Sequence, residues 1–290
     1  MPKKTKLNLK NIIKNPILRR FLKRPSTIIG SLVLMVFFLV AIFGPFIISG
    51  NPYAVELENK YLTPCIEHLL GTDNLGRDTL VRMIYGARTT LLVSFLAVAI
   101  GSTVGILIGL CAGYFGGCTD TLLSRFVDIL LAFPGLLLAI LVVAILGSGT
   151  FNTIIAISFF SIPGMARRTR GMVISIKKRE YVQACQIFGA SNARIIATHI
   201  FPNCMSLIIV DVTLALGTAI LTSSSLSFLG LGVQPPTAEW GAMMNQAREM
   251  VRMQPIHAII PGIAITLVVL SFSLVGDGLR DALDPKLKNS

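Results

Sequence analysis

The stretch KKREYVQACQIFGASNARIIATHIFPN, residues 177–203, is the longest polar stretch in the second half of the chain, and apolar segments lie on both sides of it. Apolar residues recur at helical spacing before and after Gly189, and Pro202 stands near the end. The pattern predicts a helix, a bend at Gly189 and a second helix that Pro202 terminates. A basic helical hairpin between two membrane segments is suited to gripping a partner protein.

The composition is that of an integral membrane protein. The chain has 290 residues, 53% of them hydrophobic and 14% charged, with a mean hydropathy of +0.74. Soluble domains carry about 25% charged residues. The net charge of +12 could suggest a nucleic-acid partner, but the cations cluster beside apolar runs without interleaved aromatic residues. We therefore expect no nucleic-acid partner, and basic residues that set orientation and contact anionic lipid.

Six apolar runs approach the length of about 20 residues that crosses a bilayer. They are residues 27–48, 91–115, 129–148, 152–173, 206–230 and 258–276. The fold class predicted is all-α, a polytopic membrane protein with about six transmembrane helices. The fourth run is the weakest, because Pro163 and three arginines interrupt it; if it were re-entrant, every later segment would change side.

Charge then predicts orientation. With six spans, 20 of the 26 Lys and Arg residues fall on the side of both termini and the hairpin, and 6 fall on the other. The excess places both termini and the hairpin in the cytoplasm. The chain divides into a cytoplasmic basic tail (1–25), a retained anchor helix (26–48), an extracytoplasmic segment (49–90), a core transmembrane domain (91–279) containing the hairpin (177–203), and a cytoplasmic tail (280–290).

The extracytoplasmic segment contains a turn and three charges, Asp73, Arg77 and Asp78. These charges either form an ion-pair and capping network that fixes the start of the second span, or contact an external partner. Cys65 and His68 have the spacing of two metal ligands, but two ligands do not make a site, so we predict no metal.

Three features of the apolar runs predict close packing and movement. Asp211 is the one acid well inside a run, which indicates a structural or gating contact, or substrate or proton handling. Pro134 predicts a kink in the third span. Glycines at every fourth position of the second span predict close approach of another helix; they are Gly101, Gly105, Gly109 and Gly113.

The connection between the last two spans holds a Pro-Gly turn followed by an amphipathic piece around Trp240. Tryptophan is enriched at membrane interfaces. We therefore expect this piece to lie along the outer membrane surface, where Trp240 is an interfacial anchor and an external partner could press.

Four stretches together resemble the permease subunits of binding-protein-dependent ATP-binding-cassette (ABC) importers, in the dipeptide, oligopeptide and nickel group. They are LGTDNLGRD (70–78), EYVQACQIFGASNARIIATHIFPN (180–203), LSFLGLGVQPPTAEWG (226–241) and VGDGLRDALDP (275–285). The family's cytoplasmic motif, Glu-Ala-Ala followed by Gly and later Ile and Leu-Pro, is altered here at four positions. Those positions hold Gln183, Cys185, His199 and Phe201.

The resemblance implies a type I ABC importer permease fold in a bacterial inner membrane. It implies half of a translocation pathway, completed by a second homologous permease, with one or two ATPase subunits that use the ATP and an external solute-binding protein. The chain itself would bind no cofactor and catalyse no reaction. The implied ATPase contacts are Glu180, Ala184, Cys185, Gly189, Arg194 and Pro202, and the implied binding-protein contacts are Asp73, Arg77, Asp78 and Trp240.

Other functions fit the sequence less well. A membrane enzyme would need clustered catalytic groups, but the three histidines fall in loops or at interfaces, and no GxxxxGK phosphate loop is present. A secondary transporter would need intramembrane charges that the runs lack. Within the family, peptides are the first expectation for the substrate, and nickel or another chelated metal is the alternative.

Overall fold

The computed structural model describes residues 16–48 and 50–283, and most of these residues are helical. The helices are α1 Pro16–Phe21, α2 Pro25–Ile47, α3 Thr79–Phe115, α4 Gly117–Leu131, α5 Gly135–Leu146, α6 Thr150–Lys177, α7 Glu180–Ile187, α8 Asn192–Ile195, α9 Phe201–Phe228, α10 Trp240–Ala247 and α11 Ile256–Leu283. The described residues contain no strand, so the all-α prediction is confirmed. Expectations for residues 1–15 and 284–290 lie outside the described residues.

Four helical stretches are long and apolar enough to cross a membrane. They are Pro25–Ile47, Thr79–Phe115, Asn192–Phe228 and Ile256–Leu283. The pair α4 and α5, bent by 90°, makes a fifth if it is one span. By length and composition the described residues therefore contain five spans at most, one fewer than predicted. The missing one is α6, whose arginines keep it out of the group of apolar helices.

The packing of α6 against α3 supplies the sixth crossing. The two helices run parallel, since Gly101 lies against Ser158 and Gly113 against Val173. The intervening pair α4 and α5 must then return the chain along α3, from the level of Phe115 back to the level of Val93. That distance is about 33 Å at 1.5 Å per residue, close to the thickness of the hydrocarbon core. The pair α4 and α5 is thus a broken span, and α6 crosses beside α3.

Glycines form the seam between α3 and α6, as predicted. A Cβ at Gly105 would lie 2.8 Å from the carbonyl oxygen of Ile162, and one at Gly109 would lie 2.6 Å from that of Ala166. No side chain fits at such distances, so the glycines allow the two backbones to touch.

The start of α2 lies beside the end of α11. Arg24, just before α2, forms an ion pair with Asp281 near the end of α11. The two ends of the described chain therefore lie on the same side, as an even number of crossings requires. Helix α3 starts at Thr79, twelve residues before the apolar run that begins at residue 91.

Candidate functional site

The predicted hairpin is present, and its bend is at Gly189. This residue follows α7 and has φ +77°, a left-handed conformation that costs other residues about 1–2 kcal/mol. A Cβ added at Gly189 would meet nothing within 4 Å. The bend is therefore open on its outer side, where a partner could approach.

One residue on each arm fixes the hairpin to the membrane helices. Val182 of α7 and Ile195 of α8 are 0% exposed and share a cluster with residues of α3 and α6, among them Tyr114 and Val173. The Tyr114 hydroxyl also donates a 2.8 Å hydrogen bond to Oδ1 of Asn192. The hairpin is thus packed directly against the ends of α3 and α6.

The second arm does not end at Pro202, which corrects the sequence prediction. A π-helical segment, Ile196–Ile200, joins α8 to α9, and residues Asn192–Phe228 form one continuous helical stretch. Proline has no N–H to donate and crowds the preceding turn. The wider π turn accommodates it, with the amide of Phe201 donating to the carbonyl of Ile196.

On the opposite end of the molecule, the charges of the segment before α3 form the predicted network. Asp73 accepts hydrogen bonds from the amides of Leu75 and Arg77 and from Nε of Arg77, the last at 2.8 Å. Asp78 caps α3 by accepting from the amide of Val81 at 2.9 Å. Asp73, Arg77 and Asp78 therefore form the ion-pair and capping network that was one of the two alternatives for these charges.

Arg82 completes this network, although the sequence analysis did not single it out. It is 1% exposed and donates to the carbonyl of Pro52 at 2.9 Å. Its Nε lies 3.3 Å from Asp73, and its guanidinium reaches Gln246 of α10 at 3.4 Å. The network ties the segment before α3 to α10.

Three arginines of α6 meet aspartates on other helices. Arg167 pairs with Asp128, Arg168 with Asp211 and Arg170 with Asp120, at 2.7, 2.8 and 2.5 Å. These pairs explain how α6 carries so many cations at membrane depth. Pro134 lies between α4 and α5, where it separates two helices at 90° instead of kinking one.

The chain matches two families that together cover most of its length. Residues 105–289 match the family described as "Binding-protein-dependent transport system inner membrane component". The chain belongs to this family. Residues 16–64 match the N-terminal transmembrane domain of oligopeptide transport permease C. The protein is therefore a multi-pass inner-membrane permease of the ABC importer class.

Individual relatives agree with this assignment. The permease is 45% identical to the dipeptide transport system permease protein DppC of Alkalihalophilus pseudofirmus, over 92% of this chain and 88% of that one. It is 46% identical to the glutathione transport system permease protein GsiD of Escherichia coli, over 93% and 89%. Its fold resembles a chain of the MetNI methionine ABC transporter, with a TM-score of 0.57 at 19% identity, covering 71% of this chain and 96% of that one.

Within the permease hairpin, the residues predicted to contact the ATPase divide into two groups. Those exposed are Glu180, Gly189, Arg194 and Pro202. Ala184 and Cys185 are half-buried, and Cys185 Sγ lies 3.5 Å from His199 Nε2. Cys185 packs against the cluster that anchors the hairpin, so it faces away from the open side.

Two apolar residues at the tip of the permease hairpin were not predicted as contacts. Ile187 and Phe188 are 83% and 88% exposed. The buried residue of this arm is Val182, at 0% exposed. The available signal was the position of two large apolar residues directly before the bend glycine in a polar segment.

Burial corrects two of the predicted binding-protein contacts. The Arg77 side chain and the Trp240 residue are only 2% and 1% exposed, so neither is presented to a partner. Trp240 is not an interfacial anchor either, because its Nε1 donates to the carbonyl of Met83 at 3.0 Å. Its ring packs edge-on against Phe37, with ring centroids 5.6 Å apart.

Glu239 of the permease explains why α10 lies inside the protein. It is 0% exposed, and its carboxylate accepts from the amide of Ala242 at 2.8 Å and from the hydroxyl of Thr90 at 3.2 Å. Burial raises the pKa of this carboxyl, and these hydrogen bonds oppose the shift. The residue therefore caps α10 while joining it to α3.

His68 and Cys65 take part in local structure. Nδ1 of His68 lies 2.8 Å from Oδ2 of Asp78, and the amide of Cys65 donates to the carbonyl of His68 at 2.9 Å. The histidine therefore packs onto the residue that caps α3.

Proposed function

We propose that this permease forms half of the pathway through which an ATP-driven importer takes up dipeptides or short oligopeptides. The observation that carries the proposal is the similarity to relatives named for dipeptide and glutathione transport, at 45% and 46% identity over nearly the whole chain. Glutathione is itself a small peptide, so both names indicate one substrate class. The nickel alternative has no such support.

The hairpin is where the ATPase acts. Ile187 and Phe188 are large apolar side chains exposed outside the spanning helices, and burying each in a partner is worth about 1.5–3 kcal/mol. The exposed charges of Glu180 and Arg194 supply polar contacts around them. ATP is bound and hydrolysed in the ATPase subunit. The movements of that subunit reach α3 and α6 through Val182 and Ile195.

The remaining partners follow from the pathway. A second homologous permease completes it, one or two types of ATPase dock on the cytoplasmic hairpins, and a solute-binding protein delivers substrate from outside. Both termini and the hairpin lie in the cytoplasm, because the charge excess of 20 against 6 is on their side. The surface open to the binding protein includes Asp73 and Asp78, whose side chains are 15% and 22% exposed.

Reconstitution tests this function. The complete importer is placed in liposomes with its binding protein, and uptake of radiolabelled dialanine is measured with and without ATP. We expect ATP-dependent uptake that unlabelled peptides inhibit and that nickel leaves unchanged. Competition by nickel with no uptake of peptide would replace the peptide assignment with the metal alternative.

A further inference from the structure

The ion pair of Arg168 and Asp211 uses fewer of its hydrogen-bonding groups than the neighbouring pair of Arg170 and Asp120. Arg170 donates from both Nε and Nη2 to Asp120, at 2.5 and 2.6 Å. Arg168 donates only from Nε, at 2.8 Å, to Oδ2 of Asp211. Among the described residues, nothing hydrogen-bonds to the two terminal nitrogens of Arg168 or to Oδ1 of Asp211. A guanidinium fork and a carboxylate oxygen therefore lie side by side with free capacity.

This pair opens into a cavity of about 280 Å³ between α3, α6 and α9. A single water needs only about 10–15 Å³ of such volume, so the space can hold a ligand of several heavy atoms. The Arg168 side chain is 52% exposed. Charged side chains on spanning helices face protein or water in preference to lipid, which favours an aqueous pathway on this face of the permease.

Ser102 of α3 is a polar residue of the cavity wall. It lines the cavity and is 4% exposed, yet its hydroxyl has no hydrogen-bond partner among the described residues. The cavity also has an apolar wall, to which Phe160, Met165 and Leu214 contribute.

We propose that this cavity is a transit site for zwitterionic peptides, a step that rests on the proposed peptide function. The free fork of Arg168 receives the peptide's C-terminal carboxylate, because a guanidinium matches a carboxylate with two parallel hydrogen bonds. Oδ1 of Asp211 receives the N-terminal ammonium. Thr218 lies on the cavity wall, and the apolar part of that wall accepts side chains without selecting among them. Both protein charges stay paired when the site is empty.

Protection of a cysteine tests the site directly. Thr218, an exposed residue on the cavity wall, is replaced by cysteine in a chain whose five native cysteines are changed to serine. The assembled importer, with both permeases and the ATPases but without binding protein, is treated with a thiol reagent, and labelling is followed by mass spectrometry. We expect dialanine to slow labelling of the cysteine. N-acetyl-dialanine and dialaninamide each lack one terminal charge, so about tenfold higher concentrations of them are needed.

Variants of the charged pair make the test specific. Arg168→Gln and Asp211→Asn are expected to abolish protection by dialanine, and Arg168→Lys to weaken it, since lysine keeps the charge but lacks the fork. Arg167→Gln is the matched control: it is on the same helix, and it pairs with Asp128 beside a different cavity. Protection should survive in this control. If a pair variant fails to assemble, the capped peptides still test residues 168 and 211 in their native form.

Three results would overturn the proposal. The first is equal protection by capped and free dialanine, and the second is protection that persists in both Arg168→Gln and Asp211→Asn. The third is a Thr218→Cys variant whose cysteine never reacts because the second permease covers it. Failure of the peptide function is seen separately, as absence of dialanine uptake by the wild-type importer. If the wild-type importer takes up dialanine normally and any of the three results is found, the transit site is rejected and the peptide function stands.

Discussion

The Tyr114 hydroxyl donates a 2.8 Å hydrogen bond to Oδ1 of Asn192. Tyr114 lies in the last turn of α3, and Asn192 is the first residue of α8. The bond joins the second span to the far arm of the hairpin, and the Tyr114 side chain belongs to the cluster that contains Val182 and Ile195. The hairpin is therefore held on two helices that are packed together along a glycine seam, so the three elements can move as one body.

Tyr114→Phe tests this connection, because it removes the hydrogen bond and leaves the buried ring. A net loss of about 1 kcal/mol is expected, too small to prevent assembly. We expect the reconstituted variant to hydrolyse ATP but to move less peptide per ATP than the wild type. Tyr85→Phe is the control, since Tyr85 is a half-buried residue of α3 whose hydroxyl bonds no described residue. An unchanged ratio in Tyr114→Phe would exclude a part for this bond in coupling.

Replacing Ile187 and Phe188 together with serine tests the hairpin tip. Both side chains are exposed in the permease, so its own stability should change by no more than about 0.5 kcal/mol each. We expect the ATPase to be lost on affinity purification while the permease remains inserted. The control is Ile66→Ser, which removes an apolar side chain that is 95% exposed in the segment before α3. Retention of the ATPase by the double variant would remove the tip from the docking surface.

Gly189→Arg tests the open side of the bend. The left-handed backbone makes any side chain strained, and the arginine would project into the space assigned to the ATPase. We expect an inserted permease that neither retains the ATPase nor supports uptake. Gly117→Arg is the matched control, because Gly117 also has a positive φ, +53°, and a Cβ there meets nothing within 4 Å. Equal loss in both variants would mean that backbone strain alone is responsible.

The elements that could be predicted are those specified by a periodic residue pattern or by residues close together in the chain. Span positions follow from runs of apolar residues, and the bend follows from a glycine that needs a positive φ. The capping role of Asp78 follows from its position directly before a helical pattern. Each of these features depends on residues close together in the chain, so a single sequence contains the whole signal.

The failures involve contacts between distant residues. The sequence around Trp240 is typical of an interfacial anchor. Its contacts with Met83 and Phe37, which lie in other helices, show that it is buried instead. Asp211 stands out by its position inside an apolar run, but its partner Arg168 is on another helix. At Pro202, a proline that usually terminates a helix is tolerated by a π turn, which no residue pattern in the segment specifies.

Cysteine labelling tests the orientation of the permease. Cys65 and Cys118 are both exposed, the first in the segment before α3 and the second at the start of α4. A membrane-impermeant maleimide should label Cys65 in intact cells and should label Cys118 only after permeabilisation. Cys65→Ser should remove the signal from intact cells. Labelling of Cys118 before permeabilisation would reverse the assigned orientation and would place the hairpin outside.

Glu239→Gln tests the buried cap of α10 through the pH dependence of stability. Burial raises the pKa of Glu239 above its ordinary value of 4.5. As pH rises from that value towards the raised one, the unfolded chain loses this proton while the folded protein keeps it. This residue's contribution to stability therefore falls with increasing pH across that window.

Glutamine is neutral at every pH and can still accept the hydrogen bond from Ala242, so the melting temperature of Glu239→Gln should fall less steeply than that of the wild type as pH rises above 4.5. Thermal unfolding of the purified permease in detergent gives both curves. The control is Glu249→Gln, which changes an exposed glutamate in the same connection and should keep the wild-type slope. Parallel curves for Glu239→Gln and the wild type would show that Glu239 ionises at the same pH in the folded and unfolded chain, and its carboxylate would then cap α10 in the charged form.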